Sequence, residues 1–436
     1  MKILILLPDG RVHKIKLGNF SKSFREAPLT ATMLAALVPS ELNAEITICD
    51  ESIDQIPFHK SFDIVAISAL TGTANRAYEL AAYFRNKKST VVLGGFHVTL
   101  LPDEAKNHAD TIVIGFAEET WPQLLLDYSK GQLKPMYKSD HQVPIQNLPL
   151  PRRDLQKNMR YGVPNAIFAT RGCRSVCEFC SIPAASVGWQ TRPVNQVIDE
   201  LKTFKTKRVA FNDVNLTDDT EYAKELLTAM IPLKKTWGGL ASSQILKDEE
   251  LLDLLPKSGC SFLLLGFESV NTQSLNNIYK GFNKNKEYEA QVIHELHKRK
   301  IVIQGCFIFG MESDTKDIFA ETVDFVNEQK IDIPRYAIFT PYPKTKAFDR
   351  LEAENRLLHK NWYYYDTQHV VFQPKNLSPA ELDEGFKWAY RETFKINAIF
   401  NRTKGSGANF PIAFAGNLAY NRYARRLAKD SNRFPI

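Results

Sequence analysis

The feature that most constrains the fold is an alternation of short apolar runs with segments of helical periodicity. Apolar runs bounded by turn residues predict buried strands, and apolar residues spaced three and four positions apart between them predict helices. This alternation is typical of parallel α/β sheets, and it occurs twice, on either side of a Pro-rich segment. The predicted strands of the first series are Lys2–Leu7, Glu45–Cys49, Asp63–Ile67, Thr90–Leu93 and Thr111–Ile114.

The second series contains six predicted strands separated by helices such as Val194–Thr203. A closed barrel of this type has eight βα units, so six units predict an open partial (β/α)6 barrel. The predicted strands of this series are Ala166–Ala169, Arg208–Asn212, Gly239–Ser243, Phe262–Phe267, Val302–Phe309 and Tyr336–Thr340.

These patterns predict an α/β protein built from four segments. A doubly wound, Rossmann-like domain comes first and is joined by a linker to the open partial barrel, which a small, largely helical C-terminal region follows. The predicted boundaries are 1–135 for the first domain, 136–160 for the linker, 161–350 for the barrel and 351–436 for the C-terminal region with its basic tail.

Charge and composition exclude several classes of protein. With 44% hydrophobic and 24% charged residues, the 436-residue chain is neither disordered nor a disulfide-stapled scaffold. The formal net charge of +7 belongs to the tail, because residues 395–436 hold eight basic residues and one acid. The rest of the chain is neutral and shows no basic helix or aromatic strip, so we expect no nucleic-acid partner.

Three cysteines follow the first strand of the second series in a CxxxCxxC pattern, at Cys173, Cys177 and Cys180. Thiolates suit iron, and three of them within eight residues can hold one iron–sulfur cluster with one iron left open. Zinc is the alternative, but a closed structural zinc site needs four ligands, and no fourth Cys or His follows nearby.

This spacing and its position resemble the radical S-adenosylmethionine (SAM) superfamily from about Pro164 to Thr345. The resemblance implies that the three cysteines hold a [4Fe-4S] cluster whose open iron binds SAM, and that Phe179 lies near the adenine. It also implies that residues at the ends of the barrel strands bind SAM, and that a glycine there lets the backbone approach SAM closely. The SAM-binding candidates are Phe179, Asn212, Asp213, Ser243, Glu268 and Gly310.

Small and hydroxylated residues follow the strands of the first series, where ligands bind in parallel α/β folds. A methylthiotransferase would need three more cysteines in this domain, which contains only Cys49. The chain instead resembles the cobalamin (B12)-binding radical SAM class, in the branch of the anaerobic magnesium-protoporphyrin ester cyclases and hopanoid methylases. The cobalamin-binding candidates are Ser68, Thr71, Gly94, Gly95, His97, Gly115 and Glu118.

One corrinoid signature is altered in this sequence. Proteins that use DxHxxG replace the lower cobalt ligand by His, whereas here three residues separate Asp9 from His13. Many relatives bind cobalamin without such a ligand, so the resemblance still implies the cofactor and leaves the lower face of cobalt undetermined.

The resemblance implies a methyltransferase that acts on an unactivated carbon through a 5′-deoxyadenosyl radical and methylcobalamin. The alternatives are a radical cyclase or oxidative ring-forming enzyme that transfers no methyl group, and a non-catalytic corrinoid or Fe–S carrier. We expect a small or lipid-like substrate and an electron donor such as flavodoxin or ferredoxin. Tyr336 and Tyr342 are candidates for the substrate cavity, and Arg192 and Lys344 for an anionic substrate group, although surface pairing competes for both.

The lack of a secretory signal and of a long uncharged apolar stretch predicts a cytoplasmic protein. An aromatic, apolar stretch at 409–420 beside spaced cations predicts peripheral contact with the inner membrane surface. The alternative is a basic helix with one face docked against the barrel. The cations that follow the stretch are Arg422, Arg425, Arg426 and Lys429.

Overall fold

The computed structural model describes residues 1–10, 14–17, 20–23, 25–139, 143–278, 285–405 and 410–427. Within these ranges the alternation of strands and helices forms two separate six-stranded sheets, and every strand pair in both sheets is parallel. A helical region ends the described chain. The predicted fold class is therefore confirmed.

The first sheet occupies the N-terminal third of the chain. The strands of this unit are β1 Lys2–Leu7, β2 Lys14–Leu17, β3 Phe20–Ser23, β4 Glu45–Asp50, β5 Ile64–Ser68, β6 Thr90–Gly94, β7 Thr111–Ile114 and β8 Met136–Lys138. The sheet has the order β4-β1-β5-β6-β7-β8, and β2 and β3 form a separate antiparallel hairpin. The helices are α1 Thr30–Ala36, α2 Ala74–Asn86, α3 Phe96–Leu100, α4 Pro102–Ala105 and α5 Ala117–Ser129.

Helices cover both faces of this sheet because successive side chains of a strand point to opposite sides. In β1, Leu4 and Leu6 belong to the apolar core that contains Leu80 of α2. Ile3 and Ile5 belong to the opposite core, which contains Trp121 of α5. A near-continuous apolar strand is what a sheet buried on both faces requires, and the arrangement is doubly wound.

The second sheet lies in the middle of the chain. Its unit contains β9 Ala166–Ile167, β10 Thr170–Arg171, β11 Gln190–Thr191, β12 Arg208–Phe211, β13 Thr236–Ala241, β14 Cys260–Glu268, β15 Val302–Phe309 and β16 Ile333–Ile338. The sheet has the order β9-β12-β13-β14-β15-β16, and β9 and β16 do not pair, so the barrel is open. The helices are α6 Ser181–Ala184, α7 Val194–Thr203, α8 Thr220–Met230, α9 Glu249–Lys257, α10 Thr272–Asn277, α11 Lys286–Lys298, α12 Ile318–Glu328 and α13 Lys346–Ala353.

The C-terminal region covers the free edge of β16. It contains α14 Pro379–Thr393, α15 Ile396–Gly405 and α16 Phe410–Leu427. The Tyr390 hydroxyl of α14 donates to the Tyr336 carbonyl at 2.9 Å and accepts from the Tyr336 N–H at 3.2 Å. These bonds satisfy backbone groups that an edge strand would otherwise leave exposed.

The described part of the tail is docked against the rest of the protein. Arg402, one of the eight basic residues of the tail, is 1% exposed and donates to Asn417 of α16 at 2.6 Å and to the Thr393 carbonyl at 3.0 Å. Burial lowers its pKa to about 10. Lys429 and Arg433 lie outside the described residues.

Several sequence-based boundaries differ from the structure, and the strand predicted at Gly239–Ser243 is Thr236–Ala241. β8 lies within the predicted linker 136–160, and it adds a sixth strand to the first sheet beside β7. The last barrel strand begins at Ile333 rather than at Tyr336. The limits at 135, 160 and 350 stay predictions. In the parts of the chain that the structure describes, no helix combines the length and apolarity needed to cross a membrane.

Candidate cofactor and active site

The three motif cysteines lie in the loop between β10 and α6. None of them forms a disulfide. Gly172 opens the loop with a φ of +81°, and a Cβ at this position would lie 2.3 Å from the Gly188 carbonyl oxygen. The backbone N–H of Ser175 donates to the Sγ of Cys173 at 3.4 Å. The loop can therefore make its first turn only with glycine, and this turn brings the thiols to the carboxyl end of the sheet.

Ionic contacts hold this loop on two sides. On one side the Arg174 backbone N–H donates to the Asp218 carboxylate at 2.7 Å, and the guanidinium pairs with Asp219 at 2.8 Å. On the other side Glu178 accepts from Arg350 at 3.0 Å, and Arg350 also pairs with Glu312 at 2.7 Å. Arg350 thus ties the cysteine loop to the loop that follows β15.

Asp213 supports the start of this loop from behind. Its carboxylate accepts from the backbone N–H of Ala169 at 3.0 Å and from the Thr170 hydroxyl at 2.6 Å, and the side chain is 1% exposed. Burial raises its pKa to about 6, against the lowering effect of these hydrogen bonds. The sequence predicts that Asp213 binds SAM. In the structure its carboxylate instead accepts hydrogen bonds from the segment that leads to Cys173.

Other predicted SAM residues differ in what their side chains contact. The Ser243 hydroxyl donates to Glu289 of α11 at 3.3 Å and is buried. Asn212 is half-buried at the end of β12, where its backbone N–H donates to the Ile167 carbonyl. The Phe179 ring packs edge-on against Phe339 at a centroid distance of 6.1 Å. Of these three, Asn212 and Phe179 keep partly accessible side chains beside the cysteine loop.

Strained backbone marks the ends of β14 and β15. Glu268 adopts a φ of +63° where the register with β15 shifts, a conformation that favours glycine. Gly310 has a φ of +94°, and its N–H and that of Met311 both donate to Asp314 at 2.9 Å. Burial raises the pKa of Asp314 to about 6. Such strained turns are held by the surrounding structure, and they cluster at ligand sites.

These residues fit a cluster and SAM. The donor set is three thiols of one loop, which suits iron, and the glycine and strained turns bring backbone to the same sheet edge. Within the described residues, no three His, Cys, Asp or Glu side chains are already gathered as ligands of a single ion. The assignment of Cys173, Cys177 and Cys180 therefore depends on their spacing, their shared loop and its fixed start.

Glycines and hydroxyls form the ligand edge of the first sheet. Gly95 has a φ of +97°, and a Cβ there would lie 2.7 Å from the Ala69 carbonyl oxygen and 2.9 Å from the Ser68 hydroxyl. Gly115 has a φ of +82°, and its Cβ would lie 2.4 Å from the hydroxyl of Ser139, beyond β8. Close approach of backbone to backbone thus shapes this edge.

The other glycine and hydroxyl candidates lie at the same edge. A Cβ at Gly94 would lie 3.7 Å from Val113, an ordinary contact distance, so protein packing alone does not demand glycine there. Thr71 is buried at the start of a 3₁₀ helix, Thr71–Thr73, while the adjacent Leu70 is 58% exposed. The exposed apolar side chain of Leu70 is a feature of this edge that the sequence analysis did not single out.

His97 is fully buried within a polar network. Its Nε2 lies 3.0 Å from the Tyr78 hydroxyl and 3.3 Å from Glu104, a carboxylate that also accepts from the Trp362 indole at 2.9 Å. Burial raises the pKa of Glu104, but the bonds from His97, Trp362 and Tyr78 outweigh it and lower the pKa overall. The Nδ1 of His97 has no hydrogen-bond partner in the described chain.

Glu118 joins the two ligand edges. Its carboxylate forms an ion pair with Arg171, two residues before Cys173, and both side chains are largely buried. The Arg171 guanidinium also lies 4.2 Å from the Phe116 ring centroid. The first edge also packs against the segment that follows α13, where a Cβ on Gly72 would lie 3.1 Å from the Tyr365 carbonyl. The two ligand edges therefore face each other.

The first edge fits a large planar cofactor. It combines glycine turns, an exposed apolar residue and an unpartnered buried nitrogen on His97, which together allow close approach of a ligand with apolar and polar parts. His13 lies outside the described residues.

The two cavity candidates differ in orientation. Tyr336 is 2% exposed and packs on the helix-covered face of β16, where its hydroxyl lies 2.6 Å from that of Thr393. It therefore does not line the barrel interior, and its neighbour Arg335 faces that side instead. Tyr342 is half-buried, and burial raises its pKa to about 12, with a further contribution from Cys180.

Arg335 was missed because the predicted strand began at Tyr336, the residue after it. A charge inside an apolar strand was the available signal, since such a residue points either to solvent or to an interior cavity. Of the two cations that the sequence analysis did weigh, Arg192 is buried and pairs with Glu200 at 2.8 Å, whereas Lys344 is exposed.

Comparison with known protein families identifies both units. Residues 1–125 match the model of the B12 binding domain, and residues 167–326 match that of the radical SAM superfamily. Over 416 residues the chain is 34% identical to bacteriochlorophyllide d C-12(1)-methyltransferase of Chlorobaculum tepidum, and the alignment covers 92% of this chain and 90% of that protein. The chain belongs to the cobalamin-binding radical SAM family. Its cofactors are a [4Fe-4S] cluster, SAM and cobalamin.

Two further proteins are also similar to this chain. The anaerobic magnesium-protoporphyrin IX monomethyl ester cyclase of Cereibacter sphaeroides is 25% identical over 379 residues, covering 78% of this chain and 61% of the cyclase. The structure of radical SAM methyltransferase TsrM from Kitasatospora setae, with cobalamin and a [4Fe-4S] cluster bound, superposes with a TM-score of 0.67. It covers 98% of this chain and 99% of TsrM at 15% identity, so it supports the fold of this cobalamin-binding radical SAM protein.

Proposed function

We propose that this protein is a cobalamin-dependent radical SAM C-methyltransferase whose substrate is a tetrapyrrole-like small molecule. The observation that carries the proposal is the direct contact between the two ligand edges through Glu118 and Arg171, beside the cysteine loop. Full-length similarity to an enzyme named as a bacteriochlorophyllide d methyltransferase supports both the reaction and the substrate class.

The chain's own residues position and shield the reacting groups. When bound, the cluster supplies the electron that cleaves SAM, and cobalamin carries the methyl group. Cys173, Cys177 and Cys180 would hold the cluster, and Arg350 fixes their loop to the loop after β15. The Glu118–Arg171 pair holds the cobalamin edge against this loop, and such fixed proximity is the main contribution that a protein makes to group transfer.

The cyclase reading receives less support than the methyltransferase reading. The cyclase shares less identity, and this chain covers only 61% of its length, whereas the chain covers 90% of the methyltransferase. A carrier without turnover would not need strained turns after β14 and β15 beside the cluster loop.

Anaerobic turnover with SAM deuterated in its methyl group tests the proposal. The full chain, reconstituted with cluster and cobalamin, is given a reductant and bacteriochlorophyllide d. We expect a product that carries one CD₃ group, with one S-adenosylhomocysteine and one 5′-deoxyadenosine formed for each methylation. The Cys173→Ala variant is the control and should form none of these products.

Other products would favour the alternatives. A product that lacks the label would contradict methyl transfer and favour the cyclase reading. If incubation with SAM and a reductant yields no 5′-deoxyadenosine, the carrier alternative is favoured.

The electron donor, the cytoplasmic location and the membrane contact stay predictions. We propose flavodoxin or ferredoxin as donor because the cluster requires one electron for each SAM cleaved. For the membrane contact, the exposed Arg422, Arg425 and Arg426 remain available, but Tyr420 and Ala424 on the apolar side of α16 pack against the barrel. Co-sedimentation of the full chain and a Gly405-truncated chain with anionic liposomes tests this, and equal pelleting would contradict the contact.

A further inference from the structure

Arg335 projects from β16 into the interior of the barrel. It pairs in register with Cys306 of β15, which pairs with Gly266 of β14, so the three residues form one row on the same face. The next row, Phe307 and Tyr336, lies on the opposite face against the helices. Because side chains alternate along a strand, Arg335 faces the enclosed side.

The surroundings of Arg335 are crowded but uncharged. Its side chain is exposed to solvent, although many protein atoms lie around it. Burial lowers its pKa, but the Cys306 thiol and the Tyr420, Tyr390 and Tyr423 phenols oppose this, so that its pKa is raised overall. The groups that act most strongly on the cation are thus a thiol and phenols.

No acceptor of the described residues lies within hydrogen-bond or ion-pair distance of the Arg335 guanidinium. The other enclosed arginines of this unit are matched by protein partners. Arg192 pairs with Glu200 at 2.8 Å, and Arg402 donates to Asn417 at 2.6 Å. Arg335 differs from these two buried arginines, because its exposed guanidinium faces the barrel interior, where an anion can reach it.

The C-terminal helix α16 supplies neutral polar groups beside this cation. The Gln304 amide of β15 donates to the Tyr420 hydroxyl at 3.2 Å, and the Tyr423 hydroxyl donates to the side chain of Gln368. α16 is held close here because Gly416 packs against Ile333, where a Cβ would lie 2.8 Å from the Ile333 side chain. Phenols and amides can orient an anion without competing for its charge.

The same region borders the cysteine loop. The phenol of Tyr342 is influenced by both Cys180, which raises its pKa, and Arg335, which lowers it. Tyr342, in the loop after β16, therefore lies within electrostatic range of both Arg335 and the cysteine loop.

We propose that Arg335 binds a carboxylate of the substrate, so that the substrate class is a tetrapyrrole acid rather than its ester. This inference rests on the proposed function. The planar guanidinium matches a carboxylate with two parallel hydrogen bonds, and it would fix one end of the substrate in the barrel. The SAM carboxylate is a second source of the same chemistry, and the test below separates the two.

Equilibrium binding to the reconstituted full chain tests this subsite. The probes are bacteriochlorophyllide d and its carboxyl methyl ester, titrated by pigment fluorescence, with SAM affinity measured in parallel. We expect Arg335→Gln to weaken binding of the acid by about 10- to 100-fold, the range for a charged hydrogen bond, and to leave the ester and SAM affinities unchanged. Arg335→Lys should be intermediate, because it keeps the charge and loses the fork.

The matched control is Arg425→Gln, which removes an exposed cation from α16 and should bind both probes as the wild type does. Unchanged acid affinity in Arg335→Gln would overturn the subsite, as would a selective loss of SAM affinity, which would assign Arg335 to SAM. If the wild type binds the acid more tightly than the ester but transfers no methyl group, the subsite is supported and the proposed function is contradicted. Binding of neither probe would overturn both.

Discussion

The two parallel sheets build their ligand edges by different means. At the first sheet, glycines in left-handed conformations lie within van der Waals reach of neighbouring backbone, as Gly95 does with Ala69. At the barrel, buried carboxylates turn back and hold the loops that follow the strands, as Asp213 does for Thr170 and Asp314 for Gly310. The first edge is therefore shaped by glycines, which lack a side chain, and the barrel edge by carboxylate side chains that hold the loops.

The difference matches the ligands that each edge receives. A large preformed cofactor needs room and close backbone approach, which glycine provides. A cluster is assembled on the protein's own thiols, so the loop that carries them must be fixed beforehand. The comparison predicts that added bulk damages the first edge and that lost polar contacts damage the second.

The largest effect is expected at the cysteine loop. Replacing Cys173, Cys177 or Cys180 by Ala should abolish the cluster and therefore all reductive cleavage of SAM, since each thiolate is a ligand in our assignment. Iron and sulfide content and the yield of 5′-deoxyadenosine measure this. Cys260→Ala is the control, because Cys260 is buried within β14 away from the loop, and it should retain iron. Full iron content in a loop variant would contradict the assignment.

Added bulk should damage the first edge next. Gly95→Ala should lower the free energy of unfolding by about 3 kcal/mol, because the residue has positive φ and its Cβ would overlap the Ala69 carbonyl. Cobalamin affinity should fall as well. Gly131→Ala is the control: it has a φ of +69° with nothing within 4 Å of its Cβ, so it should lose about 1 kcal/mol through backbone strain alone. Equal losses in urea unfolding would show that contact at Gly95 is unimportant.

The carboxylates of the barrel edge should make stability depend on pH. The pKa of Asp314 is raised to about 6 in the folded protein, above the 3.8 of an unperturbed Asp. A carboxyl pKa that is higher in the folded state stabilises the fold. This stabilisation is complete at pH values below the pKa of the unfolded state, and it is lost as the pH rises through about 6. Between pH 4 and 7, wild type should lose about 2 kcal/mol relative to Asp314→Asn. Urea unfolding across this range measures it, and parallel curves would contradict it.

The sequence predicted what depends on periodicity and spacing. Strand β15 and helix α7 have the predicted bounds, and the cysteine motif lies in the expected loop. A polar residue at a strand end, however, can point to a ligand or back to its own chain, and the pattern is the same for both. Asp213 and Ser243 turn back, and no spacing rule distinguishes them.

Tertiary packing decided the remaining features. The tail was predicted as a charged segment, but Arg402 is buried because Asn417 and the Thr393 carbonyl offer partners from distant positions. β8 has three residues and escapes a pattern that needs at least four. Arg335 precedes the predicted strand Tyr336–Thr340, so the pattern left it outside the sheet, whereas β16 begins at Ile333 and includes it.

The smallest effect concerns the contact that joins the two edges. Glu118 and Arg171 form a largely buried ion pair, so a double-mutant cycle with Glu118→Gln and Arg171→Gln should give a coupling energy of about 1–2 kcal/mol in urea unfolding. The exposed pair Arg152–Asp154 is the control and should give less than about 0.5 kcal/mol, because solvent screens it. Equal coupling in both pairs would mean that packing, for example between the Arg171 guanidinium and the Phe116 ring, holds the edges together and that the charge between them is incidental.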